Sequence, residues 1–421
     1  MIKRFPEYSL FFLLLFCQSV KAASEYPLTL SDGSELLIER YMAAGEQLFI
    51  WLAPEAGLQQ AERNTASRLA ESGIEVWYPD LFEANFLPVV ASSMDKIPAE
   101  QLAGLVEAAS KTGKQVYVVT SGRGVIPVLR GLRQWQTQHP SSDSLRGLIL
   151  ISPKFFLETP EPGQAAEIMP VVKASNLPIF VMQPDKSPWW WKLEQTIPAL
   201  EQGGSEVFVR ALNGVRDRFY YRPDATAFED TLAEKLPSLL LQAAKLVSTL
   251  EPKRQAVLSK QPLEDKIAVT KKERELKVYG GNPTPPPLSL LDLFDKRLSL
   301  ADYKGKVVLV NFWASWCPPC VYEMPSMQRL ADKLRDKPFE ILAINMAEDK
   351  ATIQRFVTET VQVDFPIMLD SDGTALKNWG VFAFPTTYVI GKQGKIRYAL
   401  FGSREWDEPD VLAVLDKLMS E

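Results

Sequence analysis

Lys306 to Cys320 reads KVVLVNFWASWCPPC, an apolar run leading directly into Trp316-Cys317-Pro318-Pro319-Cys320. Such a run is that of a buried strand, and a helical pattern follows Cys320. Two cysteines three apart at a helix start put one sulfur at the exposed N-terminus and the other one turn inward, close enough to bond. Unpaired N–H groups and the positive end of the helix dipole stabilise a thiolate there, lowering its pKa from ~8.5 into the roughly 3.5 to 7.5 range. Cys317 is therefore the expected nucleophile, and Cys320 the thiol that resolves the mixed disulfide.

The alternatives for such a pair are half of a zinc site or a static disulfide. The chain of 421 residues has three cysteines and one histidine, His139, so there is no second cysteine pair to complete a zinc site. We expect no metal and no cofactor. Pro318 and Pro319 stiffen the loop and withhold two backbone donors. Composition narrows the rest: 46% hydrophobic, 24% charged and a formal net charge of -5 exclude a disordered chain and a basic nucleic-acid binder.

The first 23 residues read as an export signal. Lys3 and Arg4 precede the apolar run Leu10 to Phe16, and Ser19-Val20-Lys21-Ala22-Ala23 ends in small residues that suit a cleavage near Ala22. The run is well short of the roughly 20 apolar residues of a span, although an uncleaved anchor is the alternative. Cleavage removes Cys17 and leaves Cys317 and Cys320 as the only thiols. A periplasmic or extracytoplasmic location, soluble once the signal is cut, is the expectation.

From Gln47, short apolar runs alternate with amphipathic ones, the pattern of β-α-β units over a parallel sheet. Strands are expected at Leu48–Leu52, Ile74–Tyr78, Gln115–Thr120, Gly147–Ser152, Pro178–Gln183 and Glu206–Leu212, with a hairpin ahead of them around Asp32-Gly33. A last helix should run from about 227 to 249. Residues 24–250 thus form one doubly wound α/β domain. Residues 251–287 are charge-rich and end in Pro285-Pro286-Pro287, reading as a solvated tether. A second α/β domain follows over 288–421, with strands at Val307–Phe312, Phe339–Asn345, Thr387–Ile390 and Lys395–Phe401.

The stretch from about Pro285 onward resembles the thioredoxin superfamily, and within it the TlpA/ResA-like periplasmic thiol-disulfide oxidoreductases. GKVVLVNFWASWCPPC, Phe384-Pro385-Thr386-Thr387 and the Gly391 to Lys395 turn carry the likeness. The resemblance implies a thioredoxin fold, a redox-active Cys317–Cys320 disulfide, and Pro385 as the cis-proline facing it. It implies substrate contacts at Trp316, Pro318, Pro319, Phe384 and Pro385. Glu323, one helical turn past Cys320, matches the glutamate that ResA-like proteins carry in the active site, where it would tune or shuttle the Cys320 proton. Asn311 stands where thioredoxin itself has a buried aspartate. The resemblance further implies protein-disulfide substrates, cytochrome c maturation clients among them, a membrane thiol reductant as electron donor, and reduction as the physiological direction.

The first domain resembles the α/β-hydrolase fold with its chemistry missing. The elbow G-x-S-x-G should follow the strand Gln115–Thr120, but Val119-Thr120-Ser121-Gly122-Arg123-Gly124 puts Gly122 at the nucleophile position. Asp185 falls where that family carries its acid, yet no histidine follows the last strand, in Leu212 to Phe219. His139 lies in a polar stretch and reads as an exposed loop residue. Trp189-Trp190-Trp191 is either an aromatic platform for a peptide, glycan or partner, or packing that plugs the cleft or covers a helix. We therefore expect an exported protein-disulfide oxidoreductase carrying a non-catalytic hydrolase-like domain for substrate or partner binding. The rivals are a binding or scaffold protein with an auxiliary redox domain, and a bifunctional enzyme using Ser121 as a hydrolytic nucleophile.

Overall fold

The computed structural model describes residues 23–157, 160, 162–164, 166–252, 254–257 and 275–421. The stretch read as an export signal, up to Ala22, and most of the expected charged tether lie outside them.

The first sheet is assembled from β1 (Ser24–Thr29), β2 (Glu35–Tyr41), β3 (Gln47–Leu52), β4 (Glu75–Pro79), β5 (Gln115–Ser121), β6 (Leu145–Ile151), β7 (Ile179–Lys186) and β8 (Val207–Arg216). Their spatial order is β1-β2-β4-β3-β5-β6-β7-β8. β1 and β2 pair antiparallel and β2 meets β4 antiparallel, while every pairing from β4 to β8 is parallel. The central strands are buried along nearly their whole length, as a sheet covered by helices on both faces requires. The expected last helix is two, Ala227–Glu234 and Leu236–Val247. Pro237, which has no N–H to give, sits in the first turn of the second and fixes the break.

The second sheet contains β9 (Lys277–Val278), β10 (Ser289–Asp292), β11 (Arg297–Ser299), β12 (Val307–Trp313), β13 (Phe339–Met346), β14 (Ile367–Asp370), β15 (Thr386–Ile390) and β16 (Ile396–Phe401). The order is β11-β10-β14-β13-β12-β15-β16-β9. β12 is central, parallel to β13 and antiparallel to β15, so all seven of its residues are buried. β10, β11 and β14 are too short to show a period in the sequence. The β10–β11 turn is closed by Asp292, whose Oδ1 accepts the N–H groups of Phe294 and Lys296, both at 2.8 Å. The end of the expected tether is not free: β9 pairs with β16, and the Ile396 N–H donates to the Pro283 carbonyl.

The two sheets are joined by an apolar contact. Trp189 stacks on Phe156 with ring centroids 5.6 Å apart, and Phe382 of the second sheet's side completes their cluster. Trp191 packs against the second core, with the Lys377 ammonium 4.6 Å from its ring centre. Lys192 lies 4.1 Å over the Phe382 ring, and the Lys186 ammonium donates to the Ser371 carbonyl. The tryptophan run therefore seats the second domain rather than plugging a cleft of the first.

Candidate active site

β12 delivers the chain into Cys317, which is the N-cap of the helix Pro318–Lys333. Pro318 and Pro319 fill its first two positions, where a missing N–H costs nothing. Cys317 and Cys320 form a disulfide with Cα atoms 5.3 Å apart. Cys317 is 5% exposed and Cys320 fully buried, while both prolines face solvent. One part of the sequence expectation changes here. The Cys320 and Val321 N–H groups are already bound to the Cys317 carbonyl, so stabilisation of a Cys317 thiolate comes from the helix dipole rather than from free N–H donors.

Glu323 is fully buried one turn after Cys320. Its Oε1 accepts from Asn311 Nδ2 at 2.8 Å, and its Oε2 from Trp406 Nε1 at 3.0 Å. Asn311 Nδ2 also donates to Thr387 Oγ1, its register partner on β15. Burial pushes the Glu323 carboxyl up to about 8, the Trp406 and Asn311 donors pulling it only part of the way back. Glu323 thus stands one helical turn past Cys320 with its carboxyl biased toward the protonated form.

The rim is aromatic. The Phe384–Pro385 peptide is cis, Pro385 is buried, and the Phe384 ring meets Trp316 edge-on at 5.8 Å. Ser315, two residues before Cys317, is held by Glu348, which accepts from its N–H at 2.8 Å and its hydroxyl at 2.5 Å. Among the described residues no group of three or more His, Cys, Asp or Glu side chains could hold a metal ion.

Residues 282–399 match the family model described as the AhpC/TSA family. Thiol-disulfide oxidoreductase ResA of Geobacillus thermodenitrificans (strain NG80-2) is 39% identical over 120 residues, which are 28% of this chain and 68% of that protein. The chain belongs to the ResA-like thiol-disulfide oxidoreductases. A second relative, thioredoxin-like protein YneN of Bacillus subtilis (strain 168), is 37% identical over 130 residues, 30% of this chain and 75% of that one. A solved structure of a putative thioredoxin from Neisseria meningitidis, 32% identical, covers 33% of this chain and 92% of its own, with a TM-score of 0.31. The C-terminal, ResA-like domain is a thioredoxin-fold protein-disulfide oxidoreductase, and no helix among the described residues is long and apolar enough to cross a membrane.

Outside the ResA-like part, the structure brings few of the remaining sequence candidates together. Gly122 follows β5 with φ +55°, and a Cβ there would stand 2.2 Å from Glu55 Oε2. That carboxylate accepts the Arg123 N–H at 2.8 Å and pairs with Lys154 at 2.6 Å. Burial would raise the Glu55 carboxyl, but Lys154 and the Arg123 N–H hold it down at about 2. The cavity left there, about 20 Å³, has room for about one water. Ser121, the candidate second nucleophile, is buried and bonded through its Oγ to the Tyr220 hydroxyl at 2.9 Å, with no imidazole near it. Asp185 accepts the Gly214 N–H and so orients backbone, not a base. His139 corrects the expectation of an exposed loop residue: it ends the helix Val125–Gln138, half-buried, its ring stacked on Trp135.

Sequence reasoning missed Glu55, Trp406 and Glu348. Each acts across more than 30 residues of sequence, and none stands in a motif. Only Asn311 carried a signal, as the substitute at a position read as acidic in thioredoxin.

Proposed function

We propose that this chain is an exported protein-disulfide reductase working through Cys317, Cys320 and Glu323. In the reduced protein, the Cys317 thiolate attacks one sulfur of a substrate disulfide, forming a mixed disulfide and releasing the first substrate thiolate, which takes a proton. Cys320 then passes its proton to the Glu323 carboxylate, attacks the Cys317 sulfur and expels the second substrate sulfur as a thiolate, which takes its proton from water. Two electrons leave the dithiol, and a membrane thiol reductant returns them. On that return the Cys320 sulfur leaves as a thiolate and recovers its proton from Glu323. The observation that carries the reading is the buried carboxyl of Glu323, held by Asn311 and Trp406 one turn past the disulfide.

Phe384, Pro385, Trp316, Pro318 and Pro319 border the approach to Cys317, and cytochrome c maturation clients are the proposed substrate class. Export rests on Lys3, Arg4 and the apolar run that follows them. Residues 24–250 are proposed to be a non-catalytic α/β-hydrolase-like domain for substrate or partner binding. Its strand order and the Gly122 elbow favour that reading, and the Glu55 carboxylate occupies the place an oxyanion would need. The test is trapping in vivo. Cys320→Ser should strand extracytoplasmic proteins on Cys317 as mixed disulfides that reductant releases, and recovery of none from a folded variant contradicts the proposal.

A further inference from the structure

The loop after β8 is where a hydrolase would carry its histidine. Here it reads Arg216-Asp217-Arg218-Phe219-Tyr220-Tyr221-Arg222, and it does two things at once. Inward, Tyr220 bonds Ser121 and Glu62 in the closed first-domain site. Outward, the same loop reaches the redox motif. The Arg222 guanidinium lies 4.3 Å over the Trp316 ring centre, its side chain 4% exposed. Arg216 stands 3.9 Å from Glu348, the carboxylate that fixes Ser315.

Arg222 is not a loose surface cation that happens to touch a ring. Its Nε and Nη2 are tied to Asp224 at 3.1 and 3.0 Å, and its Nη1 donates to the Asp217 carbonyl at 3.0 Å. Trp316 is thus covered by Arg222 on a face and met by Phe384 at an edge. The apolar cluster of Phe156, Trp189 and Phe382 is a second contact between the two parts of the chain. What remains open beside the cysteines is the first turn of the helix, with Pro318, Pro319 and Tyr322, the last 61% exposed.

We propose that the first domain supplies a specificity-determining wall of the redox site, in which Arg222, stacked on Trp316, closes one approach to Cys317 and confines disulfide substrates to the apolar side at Pro318, Pro319 and Tyr322. The substrate class this favours is a disulfide in an accessible, apolar segment, and the class it disfavours is a disulfide framed by bulky folded structure. The proposal rests on Cys317 as the attacking sulfur. Arg222 touches neither cysteine and acts through Trp316, so it is a positioning residue.

The experiment compares kcat/KM for reduction of insulin, a folded protein disulfide, with that for glutathione disulfide, using the full chain. Arg222→Ala should raise the insulin-to-glutathione-disulfide ratio by about 30-fold, the scale of one desolvated cation–π contact. Arg222→Lys should restore part of the wild-type ratio. Asp224→Asn, a partly exposed substitution that removes the charged partner of the guanidinium, should move the ratio the same way and guards against a variant that fails to fold. In a cycle with Trp316→Ala, the Arg222→Ala effect on the ratio should vanish. An unchanged or lowered ratio in both Arg222→Ala and Asp224→Asn, or additive effects in the cycle, overturns the wall. Cys317→Ser separates the two levels: activity retained without Cys317 sinks the underlying reading, whereas Cys317-dependent activity with an unmoved ratio sinks only the wall.

Discussion

Trp406 Nε1 donates to Glu323 Oε2 at 3.0 Å, and both side chains are completely buried. A donor to a carboxylate favours its charged form, so removing it must raise the carboxyl further. Trp406→Phe keeps most of the packing and loses the donor. The acidic limb of the insulin-reduction pH profile, on which Glu323 must lose its proton before it can take the one from Cys320, should move up by about one pH unit, the scale of a lost hydrogen bond to a charged group. A profile measured from pH 6 to 10 that does not move argues against Glu323 as the proton carrier.

Two buried glutamates should make the oxidised protein weaken with alkali. Burial pushes Glu62 up to about 7 and Glu323 up to about 8, both from an ordinary 4.5. For a raised carboxyl the contribution to stability is whole below pH 4.5 and is lost as pH rises through the folded-state value. Urea unfolding should therefore give a lower midpoint at pH 9 than at pH 5. Glu62→Gln and Glu323→Gln should each shrink that drop, and a drop that persists undiminished in both would contradict the assignment.

Glu55 runs the other way. Its carboxyl, held at about 2 by Lys154, contributes stability above pH 4.5 that is lost as pH falls toward 2. Lys154→Met should leave the carboxylate buried without its partner, costing about 3 kcal/mol at pH 7 and less at pH 3. Equal losses at the two pH values would show that the pair is not what holds this site closed.

Placing a serine at Gly122 should not create a hydrolytic site. Gly122→Ser puts a Cβ where Glu55 Oε2 already stands, at a residue with φ +55°. We expect a loss of about 2 kcal/mol from overpacking and strain, read as a lower urea midpoint, and no covalent labelling by a fluorophosphonate in this variant or in wild type. Labelling of wild type that Ser121→Ala abolishes would revive the bifunctional reading.

Trp189→Ala removes the centre of the apolar seat between the domains. The expected cost is about 3 kcal/mol, with one cooperative unfolding transition separating into two. A single transition at the wild-type midpoint would mean the seat does not couple the domains.

Most of the framework was legible because it rests on local pattern. Leu48–Leu52, Val307–Phe312 and their neighbours are apolar runs of strand length, and the cysteine spacing announces its chemistry directly. The short β10, β11 and β14 escaped, being set by a side-chain turn at Asp292 and by pairing with distant strands. Trp189-Trp190-Trp191 was conspicuous, but an indole run serves a cleft, a core or a domain contact equally well, and only the fold decides which. The Arg222–Trp316 and Glu323–Trp406 contacts join residues 94 and 83 apart in sequence, a relation no local period encodes.

The central claim is that Cys317 begins disulfide exchange and Cys320 completes it. The most direct measurement is insulin reduction, with a chemical reductant resupplying electrons, by wild type and by Cys317→Ser of equal folded content. The account predicts turnover by wild type and a loss to background in Cys317→Ser. Equal rates for the two proteins would contradict it.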